Sequence, residues 1–146
     1  MKTNAEKIMK FCAFQERSTW EVRRKMAELK MSENEADELL QELVDQNFVN
    51  DERFTECFIR GKINIKKWGR VKIRVELQHH GIASSMISEK LSGIDNEQYV
   101  NNLRYWIERW KRENPAGEKA KMFRFLMTKG YLADEICQCA SNQDEP

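Results

Sequence analysis

The sequence predicts an all-α protein built as three tandem three-helix repeats forming an elongated, curved helical array. Two observations carry that prediction. Helix formers dominate, with Pro occurring only twice and Gly six times in 146 residues, a bias against strand-and-turn architectures. A spacing pattern also recurs three times along the chain, as stacked units do when each alone cannot bury its apolar face.

The pattern begins with Val22, Met26, Lys30, Met31, Ala36 and Leu40. Its spacings recur without a gap in Ile73, Leu77, Gly81, Ile82, Ile87 and Leu91, and again in Met122, Leu126, Gly130, Tyr131, Ile136 and Ala140. From Val22 to Ile73 is 51 residues and from Ile73 to Met122 is 49. Each copy reads as a helix, a tight turn and a second helix, with apolar positions four apart on one face. Gly81 and Gly130 fall where a helix ends in a left-handed residue, while the first copy has Lys30 there, at a cost of about 1 kcal/mol.

A further amphipathic stretch precedes each pair: Ile8, Phe11, Cys12 and Phe14, then Phe54, Cys57 and Phe58, then Tyr99, Leu103, Trp106, Ile107 and Trp110. Capping boxes are expected at Ser18 with Glu21, Ser32 with Glu35 and Asp95 with Gln98. Pro115 and Gly117 close the long helix of the third copy. The repeats span 1–49, 50–94 and 95–140, with a frayed tail at 141–146. Aromatics at helical spacing, Trp106 and Trp110 among them, read as core.

No apolar run approaches the roughly 18 residues a membrane span needs, and MKTNAEKIMK lacks the apolar centre of a secretory signal, so a cytoplasmic protein is expected. Cys12, Cys57, Cys137 and Cys139 show no metal-finger spacing and read as small core hydrophobes. His79 and His80, the only histidines, point about 100° apart on a helix and do not converge on one metal. With no glycine-rich phosphate loop and no paired nucleophile and base, neither an enzyme nor a bound cofactor is expected. Stacked triplets satisfy every apolar face, which predicts a monomer.

The formal net charge is only +1, but it is unevenly placed. Residues 1–50 hold 8 basic and 10 acidic residues, 51–94 hold 9 and 5, and 95–146 hold 8 and 9. Within the middle third, CFIRGKINIKKWGRVKIRV contains Arg60, Lys62, Lys66, Lys67, Arg70, Lys72 and Arg74 with no acid. Gly61, Asn64 and the Trp68-Gly69 pair are poor helix material, so the charges are expected to span the end of one helix, a turn and the start of the next. Such a cluster predicts an anionic partner, met by lysines as point charges and by Arg70 and Arg74 as forks.

At this segment the chain resembles the RecX family of recombinase regulators. RGKINIKKWGRVKIRVELQHHGI, from Arg60 to Ile82, resembles the family's central signature. Residues 12–54 are similar to its first repeat and the link to the second, and KMFRFLMTKGYLADEIC, from Lys121 to Cys137, looks like its third. The resemblance implies a cytoplasmic bacterial protein of tandem three-helix repeats. Such a protein binds the filament of the recombinase RecA on single-stranded DNA, most often inhibiting it. It implies no catalytic residue, and it places Lys62, Lys66, Lys67, Trp68, Gly69, Arg70 and Lys72 in the signature, the tryptophan and glycine shaping the turn. Lys30 at the first turn glycine and the aromatic-rich stretch Tyr99 to Trp110 depart from the family's pattern.

The rival reading is a direct DNA-binding protein of helix-turn-helix type, since three short helices with a basic second helix fit that description too. The third helices begin SENEAD, ASSMIS and ADEICQ. Two of these are acidic where a recognition helix meets phosphate, which favours filament binding, with weak nonspecific DNA affinity through the middle repeat.

Overall fold

The computed structural model describes residues 1–143. Among them are nine α-helices and no strand: α1 Asn4–Phe14, α2 Thr19–Glu28, α3 Glu33–Asp45, α4 Asp51–Gly61, α5 Arg70–His79, α6 Ser84–Ser92, α7 Asn96–Glu113, α8 Lys119–Thr128 and α9 Ala133–Gln143. A single π-helical turn, Lys62–Lys66, extends α4. Of the expected tail, residues 141–143 continue α9, and 144–146 lie outside the described residues.

The three turns inside the repeats share one hydrogen-bond pattern. After α2, Lys30 N–H donates to Ala27 and Met31 N–H to Met26; after α5, Gly81 donates to Gln78 and Ile82 to Leu77; after α8, Gly130 donates to Met127 and Tyr131 to Leu126. This double closure requires a left-handed residue. Gly81 and Gly130 supply it at φ 77° and 102°, and Lys30 adopts it at φ 58° despite its Cβ. The departure in the first repeat therefore changes the residue and leaves the turn intact.

Every hydrophobic position of the spacing pattern turns inward. Val22, Ile73, Leu77, Ile87, Leu126 and Ile136 have no exposed surface, and burying a side chain of this size stabilises by about 1.5–3 kcal/mol. Tyr99, Leu103, Trp106 and Ile107 are buried along α7, which packs against α8 and α9. Cys139 is buried and Cys12 and Cys57 half-buried, whereas Cys137 is exposed on α9 and lies outside the core expected for it.

The chain divides into two compact units, and the division runs through α4, α5 and α6. The first holds Met1–Phe58 and Leu77–Ser88, the second Ile59–Glu76 and the chain from Glu89 onward. The first unit's core gathers Ile8, Val22, Met26, Leu40, Leu43 and Val49.

Helix starts follow the sequence with two corrections, at Ser32, where only half of the expected box forms, and at Asp95. Ser18 and Glu21 form a complete box, as do Thr3 and Glu6, and Ser32 accepts from Glu35 N–H. Asp95, however, accepts from Glu97 N–H, and Gln98 donates its side-chain amide to Asn64 at 2.5 Å. The box is opened because a partner on the π turn competes for the glutamine.

The left-handed turns set up a comparison by chemical denaturation. A Cβ on Gly81 meets Trp20 Cβ at 2.5 Å, so Gly81→Ala combines conformational strain with overpacking and is expected to cost about 2–4 kcal/mol. Lys30→Gly relieves strain while loosening the unfolded chain, and is expected to stay within about 1 kcal/mol of the parent. Equal losses at both positions refute this account of the turns.

Candidate functional site

The basic segment is shaped by the turn that joins α4 to α5. In place of a break at Gly61, the helix runs on, because widening to a π turn lets Lys62 O accept from both Lys67 N–H and Trp68 N–H, the latter at 3.1 Å. Lys67 then enters the left-handed region at φ 54°, a conformation costing a residue with a Cβ about 1–2 kcal/mol.

The third repeat holds this geometry. Along one face of α7, Gln98, Asn102 and Trp106 stand four residues apart. Gln98 reaches Asn64, Asn102 Nδ2 donates to Ile63 O at 2.9 Å, and Trp106 Nε1 donates to Lys67 O at 2.8 Å. Tyr131 OH donates to the same Lys67 carbonyl at 2.7 Å. Burial holds the phenols of Tyr99 and Tyr131 well above the usual tyrosine range, so both keep their protons, and the clamp, at any ordinary pH.

Beyond the turn, backbone meets backbone. Gly69 N–H donates to Lys129 O at 2.8 Å and Val71 N–H to Gly130 O at 3.0 Å. A Cβ on Gly69 lands on the Gly130 carbonyl and the Tyr131 nitrogen, so this glycine is required by the approach itself and not by its φ. Arg70 N–H donates to Tyr99 OH at 3.0 Å, and the Arg70 guanidinium lies 4.1 Å from the Tyr99 ring centre. Its NH1 bonds Glu135 Oε2 at 2.9 Å.

The eight residues singled out by sequence therefore divide. Lys62 and Lys72 place their ammonium groups 4.6 and 4.5 Å from the ring centre of half-buried Trp68. Lys66 is exposed, and Lys67 lies 4.8 Å over Tyr105. Arg60 is exposed on the last turn of α4 and Arg74 is half-buried on α5. Arg70 faces Glu135, so its fork is already engaged inside the fold.

Two cations absent from the sequence reading complete the group. Lys129 sits 4.3 Å and Arg109 5.4 Å from the Trp106 ring centre, with Arg109 also paired to Glu113 at 3.0 Å. Partial burial holds the Lys129 ammonium below the usual lysine range, and the like charges of Lys72, Arg109 and Lys66 lower it further. Lysines from the signature turn and cations from α7 and the turn after α8 thus form one positive, aromatic-lined surface.

The repeat offers an internal control. Adding 51 to Glu21 gives Lys72, and adding 49 to His80 gives Lys129. In the first unit the Glu21 carboxylate meets His80 Nδ1 at 3.1 Å, a pairing compatible with structure alone. The equivalent positions of the second unit carry two lysines, Lys72 and Lys129. The first unit thus closes the corresponding junction without like charges. The signal lay in the repeat register, but the sequence could not reveal that the charge of Lys72 acts on Lys129.

Comparison with known proteins agrees with this fold. Residues 50–91 match the profile described as RecX, second three-helix domain. The chain is 32% identical over 143 residues to the regulatory protein RecX of Haemophilus influenzae (strain PittEE), a match covering 94% of this chain and 93% of that relative. To the regulatory protein RecX of Clostridium perfringens (strain 13 / Type A) it is 31% identical over 120 residues, spanning 56% of that longer relative. The crystal structure of RecX from Lactobacillus salivarius superposes with a TM-score of 0.88 at 21% identity, covering 97% of this chain and 94% of that one. A crystal structure of a regulatory protein RecX gives 0.82 at 20% identity, covering 94% and 70%.

The like-charge junction predicts how stability responds to losing one lysine. The fold lowers the Lys129 pKa, so it penalises the charged form; the penalty acts at neutral pH and disappears as pH rises through the folded value towards the ordinary one, about 10.4. Lys129→Met keeps an apolar stem on Trp106 and removes the charge. Its melting temperature is expected to exceed the parent's at pH 7 in low salt, with the gap narrowing as salt screens the repulsion. A variant less stable than the parent under those conditions contradicts this reading.

Proposed function

The chain belongs to the RecX family, and on that premise we propose that it regulates a RecA-type recombinase by binding the filament the recombinase forms on single-stranded DNA. The regulation is mainly inhibitory, slowing ATP turnover and strand exchange, and it operates in the cytoplasm as part of DNA recombination and repair. The observation that carries this reading is the Lys66, Lys72, Lys129 and Arg109 surface, where positive charge is concentrated against like charge on a clamped backbone.

Such a surface suits a partner presenting closely spaced anions. Lysines act as point charges toward phosphate or carboxylate, and cations seated over Trp68 and Trp106 keep part of their charge outward. The reading favours contact with a backbone or an acidic groove over recognition of bases. Arg70, a side chain suited to forking onto a base edge, is tied to Glu135, and α3 and α9 each open with two acids in the first turn. Direct helix-turn-helix recognition of DNA is therefore the weaker alternative, while weak nonspecific DNA affinity goes with the same surface.

Two measurements test the proposal. Equimolar protein is expected to slow single-strand-dependent ATP hydrolysis by the cognate recombinase; unchanged turnover at both low and moderate salt defeats it. Replacing Lys66, Lys72 and Lys129 together by Gln is expected to leave the helical circular-dichroism signal intact. The same replacement should weaken filament binding by about tenfold or more at low salt, with a shallower salt dependence. Filament binding equal to the parent's removes the surface from the mechanism.

A further inference from the structure

A second basic and aromatic surface lies in the other compact unit, at a distance in sequence from the signature. Lys2, Lys7, Lys10, Phe11, Phe14 and Arg17 line a recess of about 410 Å³, with Lys25 and Leu29 at its edge. No carboxylate lines it. The charge count of the first repeat conceals this, because six of the ten acids in residues 1–50 sit on α3, whereas residues 1–30 carry eight basic residues against four acids.

The recess is built. Arg17 lies 3.8 Å over the Phe11 ring centre, and its Nε donates to Phe11 O at 3.1 Å. Its guanidinium is also 5.9 Å from the Phe14 ring centre. Arg17 and Lys25 have acid partners, Glu21 at 3.7 Å and Glu28 at 3.6 Å. Lys2, Lys7 and Lys10 have no ion-pair partner among the described residues. Lys7 and Lys10 are three apart on α1 and so share a face. Phe14, the last residue of α1, is 80% exposed.

A lone exposed phenylalanine needs no explanation. One at the end of a rigid helix, beside a stacked arginine and three lysines without acid partners, has the parts of a base-stacking platform with a phosphate track. We propose that this recess is a binding site for single-stranded nucleic acid, with a base stacked on Phe14 and neighbouring phosphates on Lys7 and Lys10. A duplex keeps its base faces covered, and an acidic peptide engages the lysines while leaving Phe14 idle. The inference stands on this geometry alone and does not require the recombinase reading.

The test uses the full chain and a fluorescein-labelled oligothymidylate. Phe14→Ala is expected to weaken binding by about fivefold or more, the loss of one stacked base, and Phe14→Trp to restore it. With Lys7→Gln and Lys10→Gln together, the slope of log affinity against log salt is expected to become shallower by about 1.4, from two released single-strand phosphates. Because these side chains lie outside the core, the thermal transition checks that each variant is folded. The proposal is overturned if the parent does not bind the oligonucleotide, or if Phe14→Ala binds it as the parent does. It is also overturned if polyglutamate of matched charge competes as well as unlabelled oligothymidylate, which identifies the recess as a dock for an acidic protein.

Discussion

The carbonyl oxygen of Lys67 is the point on which the second unit's surface depends. It accepts from Trp106 and from Tyr131, elements far apart in sequence, and it belongs to a residue forced into the left-handed region. A strained backbone persists only when its surroundings over-determine it. Here they do so with two buried donors, each worth about 1 kcal/mol when made and more when a partner is left without it. The π turn just before it is held by the same helix, through Asn102 and Gln98. The signature loop is therefore shaped by residues outside the signature.

This clamp explains how lysines can gather where electrostatics opposes them. In the first unit the Glu21 and His80 pairing leaves the corresponding junction without repulsion. In the second, partial burial and then repulsion from Lys72, Arg109 and Lys66 lower the Lys129 pKa. Aromatic rings moderate that repulsion, with Lys62 and Lys72 both against Trp68, and Lys129 and Arg109 both against Trp106. Contacts of this kind contribute about 0.5–1 kcal/mol at exposed sites. They are enough to seat the cations against the rings.

Much of the fold was legible in the sequence because periodic burial and left-handed turns are local properties. The spacing from Val22 to Leu40 and its two copies predicted both the inward face and the turn positions, and even Lys30, the exception, follows the rule at φ 58°. The candidate site was legible only in part. Composition located the lysines of the middle segment, but Gly61 and Asn64 suggested a break where Asn102 and Gln98 support a π turn instead. Trp106 read as core, and it is buried, yet its one polar atom does the specific work. Lys129 and Arg109 carried no signal, since a cation on α7 or after α8 joins the cluster only through tertiary contact. Local propensity ends where long-range donors begin.

The close approach of Gly69 to Gly130 has a further physical consequence. Two backbone hydrogen bonds, from Gly69 to Lys129 and from Val71 to Gly130, fix the start of α5 against the turn after α8. Lys72 and Lys129 rise from these two backbone segments. Flexible lysines on separate surfaces relax apart, whereas these share a junction in which a Cβ on Gly130 meets Lys72 Cβ at 2.5 Å. Their repulsion is thus borne by the folded state before any partner arrives. Under the proposed function, an anion placed near them relieves that repulsion as it binds. The same glycines that allow the repeats to stack so closely therefore hold the charge in place.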